Sequence, residues 1–209
     1  MIVNPDIERF LLELLPERNP VFHEMEQVAA RQNIPIVGPV VGNFLAQLVR
    51  IARARRIFEL GSAIGYSTAW LALAAGPDAE VHYTDWSGDK AAVAREYLRR
   101  LGLLDRVVFH VGDAVEALRA SPGEFDFIFN DIEKTRYLEV LELAPAKLRP
   151  GGLLVSDNAL WHGRVLQPSD ESSRQVWQLD YELSRRPDFV TSLVPLRDGL
   201  LVAFKLMHG

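Results

Sequence analysis

Between residues 56 and 156 the chain alternates short apolar runs with stretches of helix length. The runs are 56–60, 80–84, 106–111, 125–130 and 153–156. One intervening stretch puts Ala94, Tyr97, Leu98 and Leu101 on a single face, and another does so with Tyr137, Leu141, Ala144 and Leu148, the spacing of amphipathic helices. Strands alternating with helices require right-handed crossovers, hence a parallel sheet covered by helices on both faces. Two further runs, 189–196 and 200–206, are joined through Arg197-Asp198-Gly199. Asp-Gly between apolar runs signals a hairpin, so the last strand is expected to run antiparallel to its neighbour. The reading is a doubly wound α/β fold with a mostly parallel, seven-stranded sheet.

Ahead of this core, 5–33 reads as helix broken between Pro16 and Pro20, 34–39 as an extended segment locked by Pro35 and Pro39, and 42–53 as a further helix. No repeat or Gly/Ser-rich linker divides the chain. One domain, 1–209, is expected, with a helical cap over 1–50 and an α/β core over 55–209. Hydrophobic residues make up 48% and charged residues 24% of the chain, a balance that excludes disorder. No apolar run approaches a membrane span, and Met1 to Asp6 has no basic region leading into an apolar block. The absence of cysteine removes disulfides, thiolate metal sites and cysteine nucleophiles. A soluble, cytoplasmic protein follows as the expectation. The net charge of −5 gives no support to non-specific nucleic-acid binding, and Arg50, Arg53, Arg55 and Arg56 read as a solvated helix end running into a strand.

In a doubly wound sheet, ligands bind beyond the carboxyl ends of the strands, where strand order reverses. Here all five parallel strands end in polar or glycine-rich chemistry: Glu59-Leu60-Gly61-Ser62-Ala63-Ile64-Gly65-Tyr66-Ser67, Asp85-Trp86, Gly112-Asp113-Ala114, Asp131 with Lys134, and Asp157-Asn158. Gly61 and Gly65, with Ser62 between them, form a tight turn that lets a ligand approach the backbone. Ala63 stands where a dinucleotide fingerprint has its pyrophosphate-accommodating glycine, so the ligand expected lacks a pyrophosphate. Glu59 suits the ammonium of an amino-acid moiety. Asp85, 24 positions beyond Gly61, suits the two hydroxyls of a ribose. Trp86 is placed to lie against an adenine, and Asp113 and Ala114 to meet its edge. Asp113 reads equally well as a helix N-cap.

Asp131, Asp157 and Asn158 converge on neighbouring strand ends. Clustered carboxylates repel unless a cation lies between them, and an all-oxygen set favours a hard ion such as Mg²⁺ or Ca²⁺. Lys134, three residues past Asp131, can reach the same space as a general base toward a hydroxyl. The histidines at 23, 82, 110, 162 and 208 form no metal-binding pair, and only His162 falls near the site, as a rim residue. Ser62 and Ser67 lack the context of a hydrolase nucleophile.

Three stretches carry a family likeness: Phe58 to Ser67, Phe127-Ile128-Phe129-Asn130-Asp131-Ile132-Glu133-Lys134, and Asp157-Asn158-Ala159-Leu160-Trp161-His162-Gly163-Arg164-Val165. Together with Leu148-Arg149-Pro150-Gly151-Gly152, Pro35-Ile36-Val37-Gly38 and Asp198-Gly199-Leu200, they resemble the cation-dependent (class I) S-adenosylmethionine-dependent O-methyltransferases, which include the catechol and caffeoyl-CoA enzymes. The resemblance implies a Rossmann-like fold. It also implies S-adenosylmethionine held by Glu59, Gly61, Ser67, Asp85 and Ala114, with Val37 over the methionine end, and the reading of the strand ends adds Ser62, Gly65, Trp86, Asp113 and Asp131 to the cofactor set. Mg²⁺ (or Ca²⁺ or Mn²⁺) would be held by Asp131, Asp157 and Asn158, with Lys134 and Asp131 as the catalytic residues. The family's Asp-Ala-Asp-Lys is Asp131-Ile132-Glu133-Lys134 here, bulkier in the middle. The implied acceptor is a small hydroxylated aromatic with vicinal oxygens, and the implied assembly is a homodimer through the N-terminal helices. Two other readings stand beside it: methylation of a hydroxyuridine in tRNA, and a non-catalytic S-adenosylmethionine-binding regulator.

Overall fold

A computed structural model describes residues 4–207. Three helices come first: α1 (Pro5–Glu13), α2 (Pro20–Gln32) and α3 (Gly38–Ile51). Asn4 and Asn19 cap α1 and α2, each immediately before a proline whose fixed φ suits the first helical turn. The same property explains a difference from the sequence reading. Pro39 does not hold the chain extended but sits in the first turn of α3, which starts at Gly38 rather than near Gly42.

The core then runs β1 (Arg56–Leu60), α4 (Tyr66–Ala75), β2 (Glu80–Asp85), α5 (Gly88–Arg100), β3 (Val107–Val111), α6 (Ala114–Ala120), β4 (Phe125–Asn130), α7 (Tyr137–Lys147) and β5 (Leu148–Ser156). It closes with α8 (Glu171–Leu183), β6 (Phe189–Val194) and β7 (Leu200–Lys205). The seven strands lie in the order β3-β2-β1-β4-β5-β7-β6. The first five are parallel, and β7 is antiparallel to both β5 and β6. The expected hairpin is therefore present, but its second strand inserts next to β5 and its first forms the edge. β5 begins five residues before the apolar run that announced it. Leu148 pairs with Phe125 and Leu153 with Phe127, and the register shift between them accommodates Pro150-Gly151-Gly152. α8 has no counterpart in the sequence reading; Asp170 and Ser173 start it with a reciprocal capping box.

Alternation along the strands fills two cores. Ile57, Val81, Phe127, Phe129 and Val155 face α2, α3, α4 and α5, while Phe58, Leu60, Ile128 and Leu154 face α6, α7 and α8. Phe22 fastens α2 to the first core through ring contacts with Tyr66 at 5.7 Å and Trp70 at 4.8 Å. Among the described residues, no helix is long and apolar enough to cross a membrane.

Strand order reverses between β1 and β4, and along the carboxyl edge hydrogen bonding continues one or two residues past the strand ends. Asp131 N donates to Leu60 O, Asp157 N to Asn130 O, Ser62 N to Thr84 O and Gly112 N to Asp85 O. The residues that follow the strands are thus held to the sheet itself. Phe22 is 2% exposed, and removing its ring leaves a cavity against Tyr66 and Trp70. Phe22→Ala is expected to lower unfolding free energy by about 3 kcal/mol in urea denaturation, whereas Val190→Thr on the exposed face of β6 should leave it unchanged.

Candidate active site

A cavity of about 960 Å³ opens along the carboxyl edge of the sheet, a volume that suits a cofactor and a small acceptor together. Its walls include Val37, Gly61, Ser62, Ser67, Asp85, Trp86, Ala114, Asp131, Lys134, Asp157 and Asn158. Of the residues singled out in the sequence, Glu59, Gly65 and Asp113 are not in the wall.

Glu59 lies directly behind it, fully buried. Oε2 accepts from Ser62 Oγ at 2.7 Å and from Thr68 Oγ1, while Oε1 is buried with no partner. Burial pushes the carboxyl up to about 7, against the opposing pull of the Ser67, Thr68 and Ser62 hydroxyls. A carboxylate kept this way fits a cationic group delivered by a ligand. Gly61 is required by geometry. Its φ is +86°, and a Cβ there would lie 2.6 Å from the carbonyl oxygen of Asp131. Gly65 serves the packing of the turn instead, because a Cβ there would meet Ala94 of α5 at 2.9 Å.

Asp85 is oriented by two backbone donors, Ala63 N to Oδ2 at 3.0 Å and Ser87 N to Oδ1 at 2.8 Å. Ala63 itself adopts φ 45°, fixed by Tyr83 Oη donating to its carbonyl at 2.6 Å. Thr84 completes the turn, accepting from Gly61 N and donating to Glu59 O. Sequence reading missed Tyr83 and Thr84, although both immediately precede Asp85. Trp86, 58% exposed, presents its ring at the cavity edge. Asp113 caps α6 through Val115 N and Glu116 N and pairs with Arg136 at 3.0 Å, so its carboxylate is engaged away from the cavity.

At the other end, Lys134 Nζ donates to Asp131 Oδ1 at 2.8 Å and to Ile132 O at 3.1 Å. The ammonium lies 5.1 Å from the centre of the Tyr137 ring and 5.7 Å from that of Trp161. Burial raises the Asp131 carboxyl against the lowering pull of Lys134. Asp157, 6% exposed, is pushed up to about 7, first by burial and then by the charge of Asp131. Two acidic groups that disfavour each other's ionisation, with the amide of Asn158 beside them, form a hard, all-oxygen donor set to which a divalent cation would be complementary. Among the described residues, no group of three or more His, Asp and Glu is arranged as a metal site, so such an ion would rely on the Asn158 amide, water and ligand oxygens. Asn130, the strand residue before Asp131, donates to Ser156 Oγ at 3.2 Å across to β5, and its Oδ1 is buried without a partner.

His162 sits at the rim with its side chain 68% exposed. His82 and His110 stack on each other beside Glu80, and His208 lies outside the described residues. Arg55 and Arg56 donate to Ala75 O and Glu124 O, and Arg56 also pairs with Glu80, all at the amino-terminal edge of the sheet, across from the cavity.

The family model for the O-methyltransferases matches residues 14–206. A catechol O-methyltransferase from Mycobacterium tuberculosis is 33% identical over 171 residues, covering 80% of this chain and 78% of that one. A caffeoyl-CoA O-methyltransferase from Eucalyptus gunnii is 26% identical over 95% of this chain and 86% of its own. Among solved structures, an O-methyltransferase involved in tomaymycin synthesis in Streptomyces achromogenes, in complex with SAM, superposes with a TM-score of 0.89 at 27% identity, over 97% of this chain and 96% of that one.

The raised Glu59 carboxyl fixes the sign of a pH effect. Between its ordinary value of 4.5 and about 7, the native chain holds a proton that the unfolded chain has released, so ligand-free stability falls as pH rises across that window. Asp157 and Asp180, pushed up by burial to about 7 and about 8, act in the same direction, while burial-lowered His82 and His110 act against it near pH 6.5. Thermal unfolding of the ligand-free protein should give a lower Tm at pH 8 than at pH 6. Glu59→Gln should flatten that slope, removing a penalty on the order of 3 kcal/mol at the alkaline end. A slope unchanged in the variant would exclude Glu59 as its source.

Proposed function

Because the chain belongs to the O-methyltransferase family, we propose that it transfers the methyl group of S-adenosylmethionine to one hydroxyl of a small acceptor with vicinal oxygens, with the help of a divalent cation. The observation that carries this reading is the single cavity wall that joins Ser67, Asp85 and Trp86 at one end to Asp131, Lys134, Asp157 and Asn158 at the other. Glu59, behind the Gly61–Gly65 turn, would receive the ammonium of the methionine moiety, and its unpartnered Oε1 supports that role. Asp85, held rigid by Ala63 and Ser87, would take the ribose hydroxyls, while Trp86 and Ala114 would enclose the adenine. Val37 would cover the methionine end.

Asp131, Asp157 and Asn158 would hold the cation, which when bound lowers the pKa of an acceptor hydroxyl and fixes its orientation. Lys134, as the neutral amine once its own proton has been displaced by the bound cation, would then receive the hydroxyl proton and become the ammonium. Its place against Asp131 supports this, because the same carboxylate that would hold the cation also holds the base. Trp161 and Tyr137 flank the ammonium and keep water from it. Most of the rate would come from positioning, since the chain needs only to keep the oxygen in line with the methyl group. The acceptor is read as a catechol-like aromatic on the strength of the 33% identical relative. A tRNA acceptor has no support from Arg55 and Arg56, whose bonds lie at the far edge of the sheet.

Two copies are proposed to pair through the N-terminal helices. α1 buries none of its own side chains, and Ile7 and Phe10 on it and Leu14 just after it are half or more exposed.

The test is titration calorimetry of the EDTA-treated protein with S-adenosylmethionine, followed by a methyl-transfer assay on a catechol with and without Mg²⁺. Saturable binding and cation-dependent transfer are expected. Binding without transfer would redirect the search to another acceptor, and no binding would overturn the assignment of Glu59 through Asp85. Lys134→Met should lower kcat by about 10²–10⁴-fold with little change in cofactor affinity, and Asp157→Asn should abolish the response to Mg²⁺. A Lys134→Met enzyme of unaltered kcat would remove Lys134 as the base.

A further inference from the structure

The β6–β7 turn has no role in the proposed reaction, yet it is bonded four times to the loop that follows β5. Ala159 N donates to Gly199 O at 3.0 Å and Leu160 N to Asp198 O at 2.8 Å. These two bonds use only the turn's backbone. The other two need the Asp198 side chain: His162 N donates to Oδ1 at 2.6 Å, and Asn158 Nδ2 donates to Oδ2 at 3.4 Å. The carboxylate is 11% exposed and has no Lys or Arg nitrogen within 4 Å among the described residues. Both Asn158 and Asp198 line the cavity.

A carboxylate accepts hydrogen bonds and does not donate them. An amide facing it must therefore present NH₂, which turns the carbonyl oxygen the other way. Asn158 alone could offer either end of its amide to the cavity, and only the oxygen suits a hard cation. Its backbone, at φ 57°, sets where the side chain starts but not which end leads. The His162 N–H fixes Oδ1 of the same carboxylate, so Oδ2 remains directed at Asn158.

We propose that Asp198 is a positioning residue for cation binding: by accepting from Asn158 Nδ2 it holds Asn158 Oδ1 toward the space beside Asp131 and Asp157. This rests on the reading of Asp131, Asp157 and Asn158 as cation ligands. It predicts that Asp198 acts only through Asn158, whereas a residue needed merely for the turn would act without it.

Asp198→Asn keeps size and one acceptor for His162 N–H but faces an NH₂ toward Asn158, which should turn the amide over. Mn²⁺ binding to the full-length protein, read from the free-ion signal in electron paramagnetic resonance, measures affinity without turnover. Mn²⁺ affinity is expected to fall by about 10–100-fold in Asp198→Asn, with S-adenosylhomocysteine affinity and Tm close to those of the parent. In an Asn158→Ala background, the same substitution should have no further effect on Mn²⁺. The proposal is overturned if Asp198→Asn binds Mn²⁺ like the parent. It is equally overturned if cofactor affinity falls in step, or if the loss is as large in the Asn158→Ala background. A parent protein that binds the cofactor but no Mn²⁺ would instead refute the cation reading itself, and this inference with it.

Discussion

The hydrogen bond from Asp131 N to Leu60 O closes the gap between β1 and β4 at the one place where strand order reverses. Helices leave these two strands toward opposite faces of the sheet, so space opens between them without any side chain being removed. Gly61 then crosses directly over the Asp131 backbone, in contact too close for any Cβ. The Asp85 end and the Lys134 end of the cavity therefore share a wall. A movement of the glycine turn would displace Asp131, and with it Lys134, which is bonded to the Asp131 carboxylate. The coupling of the two ends is a consequence of main-chain packing, and side chains only elaborate it.

That arrangement is electrostatically expensive for the empty protein. Glu59, Asp131 and Asp157 are all held where burial disfavours their ionised forms, and each lies near a polar atom that has no partner or a charge of the same sign. Asp126, by contrast, is paired with Arg149 and with the backbone N–H groups of Arg55 and Arg56. The contrast separates the two ends of the same sheet. At the amino edge Asp126 is matched within the chain; at the carboxyl edge Lys134 matches Asp131, but Glu59 Oε1 has no partner and Asp157 faces the like charge of Asp131.

Much of this was legible in the residues. Short apolar runs, too short for helices, separated by longer stretches with a 3.6-residue apolar face gave the parallel sheet. The strand-end residues followed, because the sheet places every carboxyl end along one edge. What escaped the sequence has physical causes. Pro39 reads as a breaker, yet in the first turn of a helix it has no N–H to lose. The insertion of β7 between β5 and β6 depends on long-range pairing that a hairpin signal cannot express. Asp113 satisfied both a capping and a ligand pattern, and only the position of Arg136, 23 residues on, shows where its carboxylate is spent.

Asp198 marks the same limit from the other side. In the sequence, Asp198-Gly199 reads as a turn signal and as part of the family likeness, and neither assigns its carboxylate a partner. In the fold, the antiparallel insertion of β7 brings that turn against the loop after β5, and a residue chosen for its turn propensity comes to face an amide on the cavity wall. The same insertion leaves β6 at the edge, where it touches none of the strands that carry the site. The antiparallel strand thus does more than close the sheet, because its order relative to β6 decides which loop the Asp198 carboxylate can reach.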